Sequence, residues 1–167
     1  MAELTARERL LPSLLDRLTD DNPGDVTEAR ERRAETMVQL RAATLRDLEW
    51  LLNTSNIESE LDLSEYPELE GSVINYGLPN LSGTTITSVD FGLLESNIRK
   101  AIQAFEERIL KDSVRVVSIQ SEDAVHGNSV TFKIEGTLWG NPMPEPLFLR
   151  TEVDLEIGEV VLKEGDD

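Results

Sequence analysis

The stretch that decides the fold is SVDFGLLESNIRKAIQAFEERILK, residues 88–111. Its apolar residues recur at steps of three and four, which is the spacing of one helix face. Ser88 and Asp90 suit a helix N-terminus, and Arg108 and Lys111 suit a C-terminus. The pattern therefore predicts one long amphipathic helix, whose apolar face is Phe91, Leu94, Ile98, Ala101, Ile102, Phe105 and Ile109.

The last turn of this predicted helix carries three charged residues, Glu106, Glu107 and Arg108. On a helical wheel Glu106 and Arg108 lie on opposite flanks of the apolar face, about 160° apart, and Glu107 points away from that face. At that angle the two flanking charges cannot neutralise each other, so each needs its own partner. Either they anchor a partner protein or they are ordinary charges at a helix edge.

Composition narrows the class of protein. The chain has 167 residues, enough for one domain with a core, and a net charge of −17 from 33 acidic and 16 basic residues. Nucleic acids and anionic membranes both attract basic surfaces, so this charge argues against them and favours locally basic partners. The absence of cysteine excludes disulfides and thiolate metal sites. The sequence shows no signal-peptide core and no apolar run of membrane-spanning length, so we expect a cytoplasmic protein.

The N-terminal segment is rich in leucine. Pro12 and Ser13 predict the start of a brief helix, and Asn22-Pro23-Gly24 predicts a break after it. We therefore expect residues 1–27 to form an arm and linker, and residues 28–167 to form the folded domain. The arm docks either on its own domain or on a partner.

A second amphipathic helix is predicted from about Glu28 to Asn53. Its basic residues, including Arg41 and Arg46, are expected on a solvated face, offset by acidic neighbours. The following residues 54–87 are irregular and punctuated by glycine and proline. We expect this connection to be pressed onto the core by Val73, Ile74, Tyr76, Leu78 and Leu81.

After the long helix the apolar residues alternate, which predicts strands at residues 113–121, 130–138 and 147–155, with a short fourth strand near 159–162. A turn at residues 121–128 contains His126. Residues 140–145 form the next loop. One antiparallel register of the two flanking strands places every apolar residue on a single face. It pairs Leu138 with Leu147, Gly136 with Leu149, Phe132 with Val153 and Val130 with Leu155. The resulting fold class is α+β, with amphipathic helices packed on one face of a small antiparallel β-sheet.

No residue pattern typical of catalysis is present. The chain lacks a Gly-x-Ser-x-Gly motif, and its single histidine, His126, falls in a polar turn where we expect it to face solvent. A metal site would need carboxylates alone, and no EF-hand spacing occurs. The 33 acidic residues form many pairs, but none is set apart in an apolar surrounding as glycoside hydrolysis requires. We therefore expect a non-enzymatic interaction domain without metal or cofactor.

Four stretches, taken together, resemble the TssE family of the bacterial type VI secretion baseplate. They occur in the family's order between about residues 10 and 110, and the third is the most specific. The stretches are Ser13-Leu14-Leu15-Asp16-Arg17-Leu18, then residues 40–54 with Arg46-Asp47-Leu48-Glu49-Trp50, then Ser72-Val73-Ile74-Asn75-Tyr76-Gly77-Leu78-Pro79-Asn80-Leu81-Ser82-Gly83, and residues 98–109 ending AFEERI.

This resemblance implies a structural role. Such proteins are related to a small wedge protein of contractile phage tails. They join the TssF and TssG wedge subunits near TssK, and they offer a sheet that seeds the TssB/TssC sheath at the cytoplasmic, membrane-docked baseplate. The candidate partner-binding residues are Phe105, Glu106, Arg108, Asn75, Tyr76, Gly77, Leu78 and Pro79.

The chain departs from the family at one position. The family's hallmark is Glu-Pro-Arg, and Glu107 replaces the proline between Glu106 and Arg108. Because glutamate keeps its N–H and has no ring, we expect the helix to continue through this position. Two alternatives stay open: a peptidoglycan hydrolase, which the family's "lysozyme-like" label suggests, and a wedge protein of a phage-derived contractile particle.

Overall fold

The computed structural model of the protein describes residues 12–19, 24, 36–83, 88–119, 129–140 and 143–165. The predicted turn with His126 lies outside these residues, as do Leu10 and Leu11. The prediction of one continuous helix from about Glu28 is wrong, because Thr36 is extended and caps a helix that begins at Met37. The described helices are α1 (Leu14–Leu18), α2 (Met37–Leu52) and α3 (Phe91–Phe105), and the strands are β1 (Arg115–Ile119), β2 (Ser129–Leu138), β3 (Glu145–Asp154) and β4 (Val160–Glu164).

Helix α3 confirms the predicted apolar face but ends earlier than predicted. Asp90 caps its N-terminus by accepting the N–H of Leu93, and the buried residues are Leu94, Ile98, Ala101 and Ile102. The helix stops at Phe105, and Glu106 is extended, with φ −114° and ψ 92°. The predicted continuation to Lys111 is therefore wrong.

The chain leaves the helix because it joins the sheet. The N–H of Leu110 donates to the carbonyl of Thr137 at 2.9 Å, and the N–H of Trp139 donates to the carbonyl of Arg108 at 2.6 Å. Ile109, predicted on the helix face, instead bridges Leu138 and is buried. Backbone pairing with the end of β2 thus replaces the helical hydrogen bonds that residues 107–111 would have made.

The four strands form one antiparallel sheet in the order β1-β2-β3-β4. The predicted register of β2 and β3 is wrong by two residues, because Gly136, rather than Leu138, lies opposite Leu147, and Val130 lies opposite Val153. A shift of two residues leaves every side chain on the same face, so alternation alone could not detect it. The predicted loop is also corrected, since Glu145 already belongs to β3.

One face of the sheet packs against α2 and α3 and forms a single core. The fully buried residues include Phe132, Ile134 and Leu149 from the sheet, with Leu48 from α2 and Ile102 from α3. This arrangement confirms the predicted α+β class. Within the described ranges, no helix combines the length and apolar composition that a bilayer span requires.

The connection between α2 and α3 is held to the core at its end. Leu78 is buried, and Tyr76 and Leu81 pack against the core, as predicted. Val73 and Ile74 were expected to do the same, but both are exposed. They lie in a short 3-10 helix, Val73–Asn75, in which the side chain that turns inward is that of Asn75.

Gly77 occupies a backbone position that no other residue fits. Its φ is +120°, and a Cβ placed there would lie 2.1 Å from the carbonyl oxygen of Thr54. That oxygen accepts the N–H of Leu78 at 2.8 Å, so the two chain segments cannot separate without losing this bond.

We predict that Gly77→Ala lowers the free energy of unfolding by about 3 kcal/mol, from backbone strain together with overpacking. For a chain of this length that loss lowers Tm by roughly 6–12 °C in a thermal denaturation experiment. Gly71→Ala is the matched control, because a Cβ at Gly71 meets no atom within 4 Å. A Gly77 variant as stable as the control would show that the close approach to Thr54 is absent.

Helix α1 is attached to the domain weakly. Ser13 caps it, as predicted, but none of its residues is buried, and Leu14 and Leu18 are largely exposed. Its tie to α2 is a pair of hydrogen bonds from Arg46 to Asp16, at 2.6 and 3.2 Å. Ion pairs as exposed as this one contribute only about 0–1 kcal/mol.

Deletion of residues 1–20 is therefore expected to change Tm by no more than about 4 °C and to leave unfolding cooperative. Circular dichroism melts of the full and shortened chains measure this. A broad or strongly lowered transition in the shortened chain would mean that the arm belongs to the core.

Candidate partner-binding site

A chain of alternating charges that includes Arg108 lies where α2 meets the end of α3. The Arg108 guanidinium donates to both oxygens of Glu106, at 2.8 and 2.5 Å, and to Asp47 Oδ2 at 2.7 Å. The backbone N–H of Arg108 also donates to Glu106 Oε1 at 2.9 Å. Bidentate contacts of this kind fix the position of a guanidinium more tightly than a single bond does.

Three separate parts of the fold place these groups. Asp47 comes from the middle of α2, Glu106 is the residue that ends α3, and Arg108 is held by the pairing of its carbonyl with Trp139. Burial opposes the positive charge of Arg108, but the hydrogen bond and charge of Glu106, together with Asp47, outweigh it and raise the pKa of Arg108. The guanidinium is therefore permanently charged, although its Nη1 is buried without an acceptor among the described residues.

The charged chain continues to the arm through Arg46. Asp47 Oδ1 accepts from Arg46 at 2.7 and 2.9 Å, so Asp47 bridges two arginines with its two oxygens. Arg46 also binds Asp16 of α1, and this hydrogen bond, followed by that from Ser13, lowers the pKa of the Asp16 carboxyl. The expectation of a merely solvated face on α2 is thus corrected, since Arg46 pairs with the arm and Arg41 pairs with Glu164 on β4 at 2.6 Å.

Beside this cluster is an open cavity of about 510 Å³. Its apolar lining includes the half-exposed Trp50 and the rings of Tyr76 and Phe105, which meet edge to face with centroids 5.3 Å apart. Burial, together with the nearby charges of Asp47 and Glu106, raises the pKa of Tyr76. The residues that line the cavity are Ser13, Leu15, Asp47, Trp50, Leu51, Tyr76, Phe105, Glu106, Glu107 and Arg108.

The geometry overturns the prediction that Glu106 and Arg108 point apart and cannot neutralise each other. That prediction assumed a helix, but the chain is extended at Glu106, so the two side chains fold back onto one another. Glu107 does not extend the helix either. It is exposed and lies among the residues that line the cavity.

The structure divides the eight predicted site residues into two groups. Phe105, Glu106, Arg108 and Tyr76 come together around the cavity. The others shape the connection that holds Tyr76 in place. Among them Asn75 is buried and bonds to the backbone of Glu58 and Glu70, whereas Gly77 and Leu78 are buried and Pro79 is half-buried.

Sequence reasoning missed Asp16, Arg46, Asp47 and Trp50 as site residues. All four lie in stretches that carry the resemblance to baseplate proteins, and that was the available signal. Nothing in their spacing shows that residues thirty and sixty positions apart meet, because this contact depends on how α1, α2 and the end of α3 pack.

Comparison with known proteins places the chain in a family. No curated protein and no solved structure matches it. The family model described as "Baseplate wedge protein gp25" matches residues 38–143, which is more than half of the chain and includes α2, α3 and the cluster around Arg108. The chain therefore belongs to the family of the baseplate wedge protein gp25, whose members are structural components of contractile baseplates.

Proposed function

We propose that this chain is a non-catalytic subunit of a type VI secretion baseplate in the cytoplasm, where it joins the TssF and TssG wedge subunits near TssK and seeds the TssB/TssC sheath. In this proposal the cavity beside Arg108 is the surface that meets the wedge. Arg108 and the aromatic rings make the contact, and the buried Glu106 positions Arg108.

One observation carries this proposal. The four stretches that resemble the secretion baseplate family are far apart in sequence, yet each contributes to the lining of the same cavity: Ser13 and Leu15, Asp47 and Trp50, Tyr76, and residues 105–108. If these stretches were needed only for folding, we would not expect all four of them to line the same open cavity. Aromatic residues beside desolvated arginines are also the composition of binding hot spots.

The sheet supports the second half of the proposal, in which sheath strands pair with an edge of the sheet. The edge strands are β1 and β4. On β1, the outward N–H of Ser118 donates to the carboxylate Oε1 of Glu95 at 2.7 Å. On β4, the side chain of Asn53 binds the outward N–H and C=O of Val160. By ladder alternation the N–H groups of Leu162 and Glu164 also point outward, and no described residue accepts them. We propose β4 as the sheath-pairing edge.

The hydrolase alternative needs a free, protonated carboxylic acid, and the buried carboxylate among the described residues does not supply one. Glu106 is the buried carboxylate there, and both of its oxygens are engaged by Arg108, so neither is free to approach a glycosidic oxygen. The described residues also contain no cluster of His, Asp and Glu that could hold a metal. Clearing of purified cell walls by the protein would support that alternative.

The cavity is best tested through its tryptophan, because loss of Glu106 or Arg108 breaks a buried ion pair and costs about 3–5 kcal/mol of stability. We predict that Trp50→Ala lowers the affinity for TssF and TssG, assayed by co-purification, about thirtyfold or more, since a hot-spot side chain contributes about 2 kcal/mol or more.

Trp139→Ala is the matched control, because Trp139 is 44% exposed, against 50% for Trp50, and does not line the cavity. Circular dichroism melts of both variants separate lost binding from lost folding. Equal wedge binding by the two variants would rule out the cavity as the wedge surface.

The β4 edge is tested with proline at position 164. Glu164→Pro removes an outward N–H without touching a ladder bond to β3, so it should stop sheath assembly on the baseplate while Tm stays within about 4 °C of the wild type. Glu164→Ala controls for the lost ion pair with Arg41 and should seed sheath normally. Normal assembly both with Glu164→Pro and with Leu162→Pro, scored by electron microscopy, would exclude β4 as the seeding edge.

A further inference from the structure

The charges around the cavity do not balance. Four carboxylates, those of Asp16, Asp47, Glu106 and Glu107, belong to the ion-pair chain or line the cavity, against two guanidiniums, those of Arg46 and Arg108. Three of the carboxylates belong to the ion-pair chain. The local excess is therefore two negative charges, in a protein whose net charge is −17.

Glu107 is the carboxylate that the cluster leaves unused. It is exposed at the cavity, and among the described residues it forms no ion pair and accepts no side-chain hydrogen bond. Its neighbours in sequence, Glu106 and Arg108, satisfy each other. Glu107 is thus a carboxylate that lines an aromatic cavity and pairs with no cation in the described part of the chain.

The aromatic lining suits a cation. Tyr76, Phe105 and Trp50 all line the cavity, and the rings of Tyr76 and Phe105 are in contact with each other. The guanidinium of Arg46, which does not line the cavity, lies over the Trp50 ring, 5.1 Å from its centroid, so a planar cation already packs against this ring.

Resting on the proposed function, we propose that the cavity receives an arginine side chain of the wedge partner, with its guanidinium against the rings of Tyr76 and Phe105 and paired with Glu107. Arginine fits better than lysine, because a planar guanidinium can stack on a ring and still donate two parallel hydrogen bonds to a carboxylate. The volume of about 510 Å³ has room for one or two such side chains. In this proposal Glu107, the position at which this chain departs from the Glu-Pro-Arg pattern, forms the ion pair with the partner's arginine.

The first experiment uses a probe of known chemistry. N-acetyl-arginine methylamide is titrated into the ¹⁵N-labelled full chain, and the neutral isostere N-acetyl-citrulline methylamide serves as the matched ligand. We expect saturable shifts of the Trp50 indole N–H and the Glu107 amide with the arginine compound only. Equal shifts with citrulline, shifts spread over the acidic surface, or no shift at these two groups would overturn the proposal.

The second experiment measures affinity for purified TssF and TssG. Glu107→Gln should weaken binding about two- to fivefold, as expected for loss of a partly exposed ion pair, and Glu107→Arg more than about tenfold, because it sets two cations against each other. Glu65→Gln is the control, since Glu65 is exposed, unpaired among the described residues and remote from the cavity lining.

The outcomes separate this inference from the proposed function. If Trp50→Ala loses the wedge while both Glu107 variants bind as well as the Glu65 control, the cavity is the wedge surface and the arginine inference is wrong. If Trp50→Ala also binds normally, the proposed wedge surface itself is wrong.

Discussion

The structure depends on a positive charge held inside it. Arg108 connects three parts of the fold: its guanidinium binds Asp47 of α2 and Glu106 at the end of α3, and its backbone carbonyl pairs with Trp139 at the end of β2. Removing one partner of such a buried pair leaves the other uncompensated, whereas replacing the whole set with apolar residues of similar volume is often neutral or stabilising. Stability alone therefore does not account for these residues.

What the cluster does provide is a fixed geometry. Asp47 binds two arginines at once, so a displacement of α2 would disturb both the Arg108 site and the Arg46 contact with the arm. The buried Nη1 of Arg108 has no acceptor among the described residues, a cost that an arrangement evolved only for stability would avoid. The position of the cavity rings relative to the sheet is thus specified by hydrogen-bond directions, in addition to hydrophobic packing.

The parts of this structure that could be predicted from sequence are those set by local periodicity. The apolar face of α3, its Asp90 cap and the alternation of β2 and β3 follow from side-chain spacing, and they give the correct fold class. The register of β2 and β3 could not be predicted, because a two-residue shift changes no side chain's face. The end of α3 could not be predicted either, since the hydrogen bonds that replace the helix come from Thr137 and Trp139, about thirty residues away. The mistaken site geometry followed directly from that one error, because a helical wheel separates Glu106 from Arg108 and an extended backbone brings them together.

Asn53 has a mechanical consequence. Its side-chain amide donates to the carbonyl of Glu49 at the end of α2 and to that of Val160 at the start of β4, and its oxygen accepts the N–H of Val160. Helix and strand are therefore fastened end to end by one side chain, whose two bonds to Val160 lie side by side. Tension applied along β4 would load these two bonds together, in shear, alongside the ladder bonds to β3, so that α2 shares the load with the sheet. A contractile assembly that pulled on this strand would draw on the stiffness of the helical layer as well as that of the sheet.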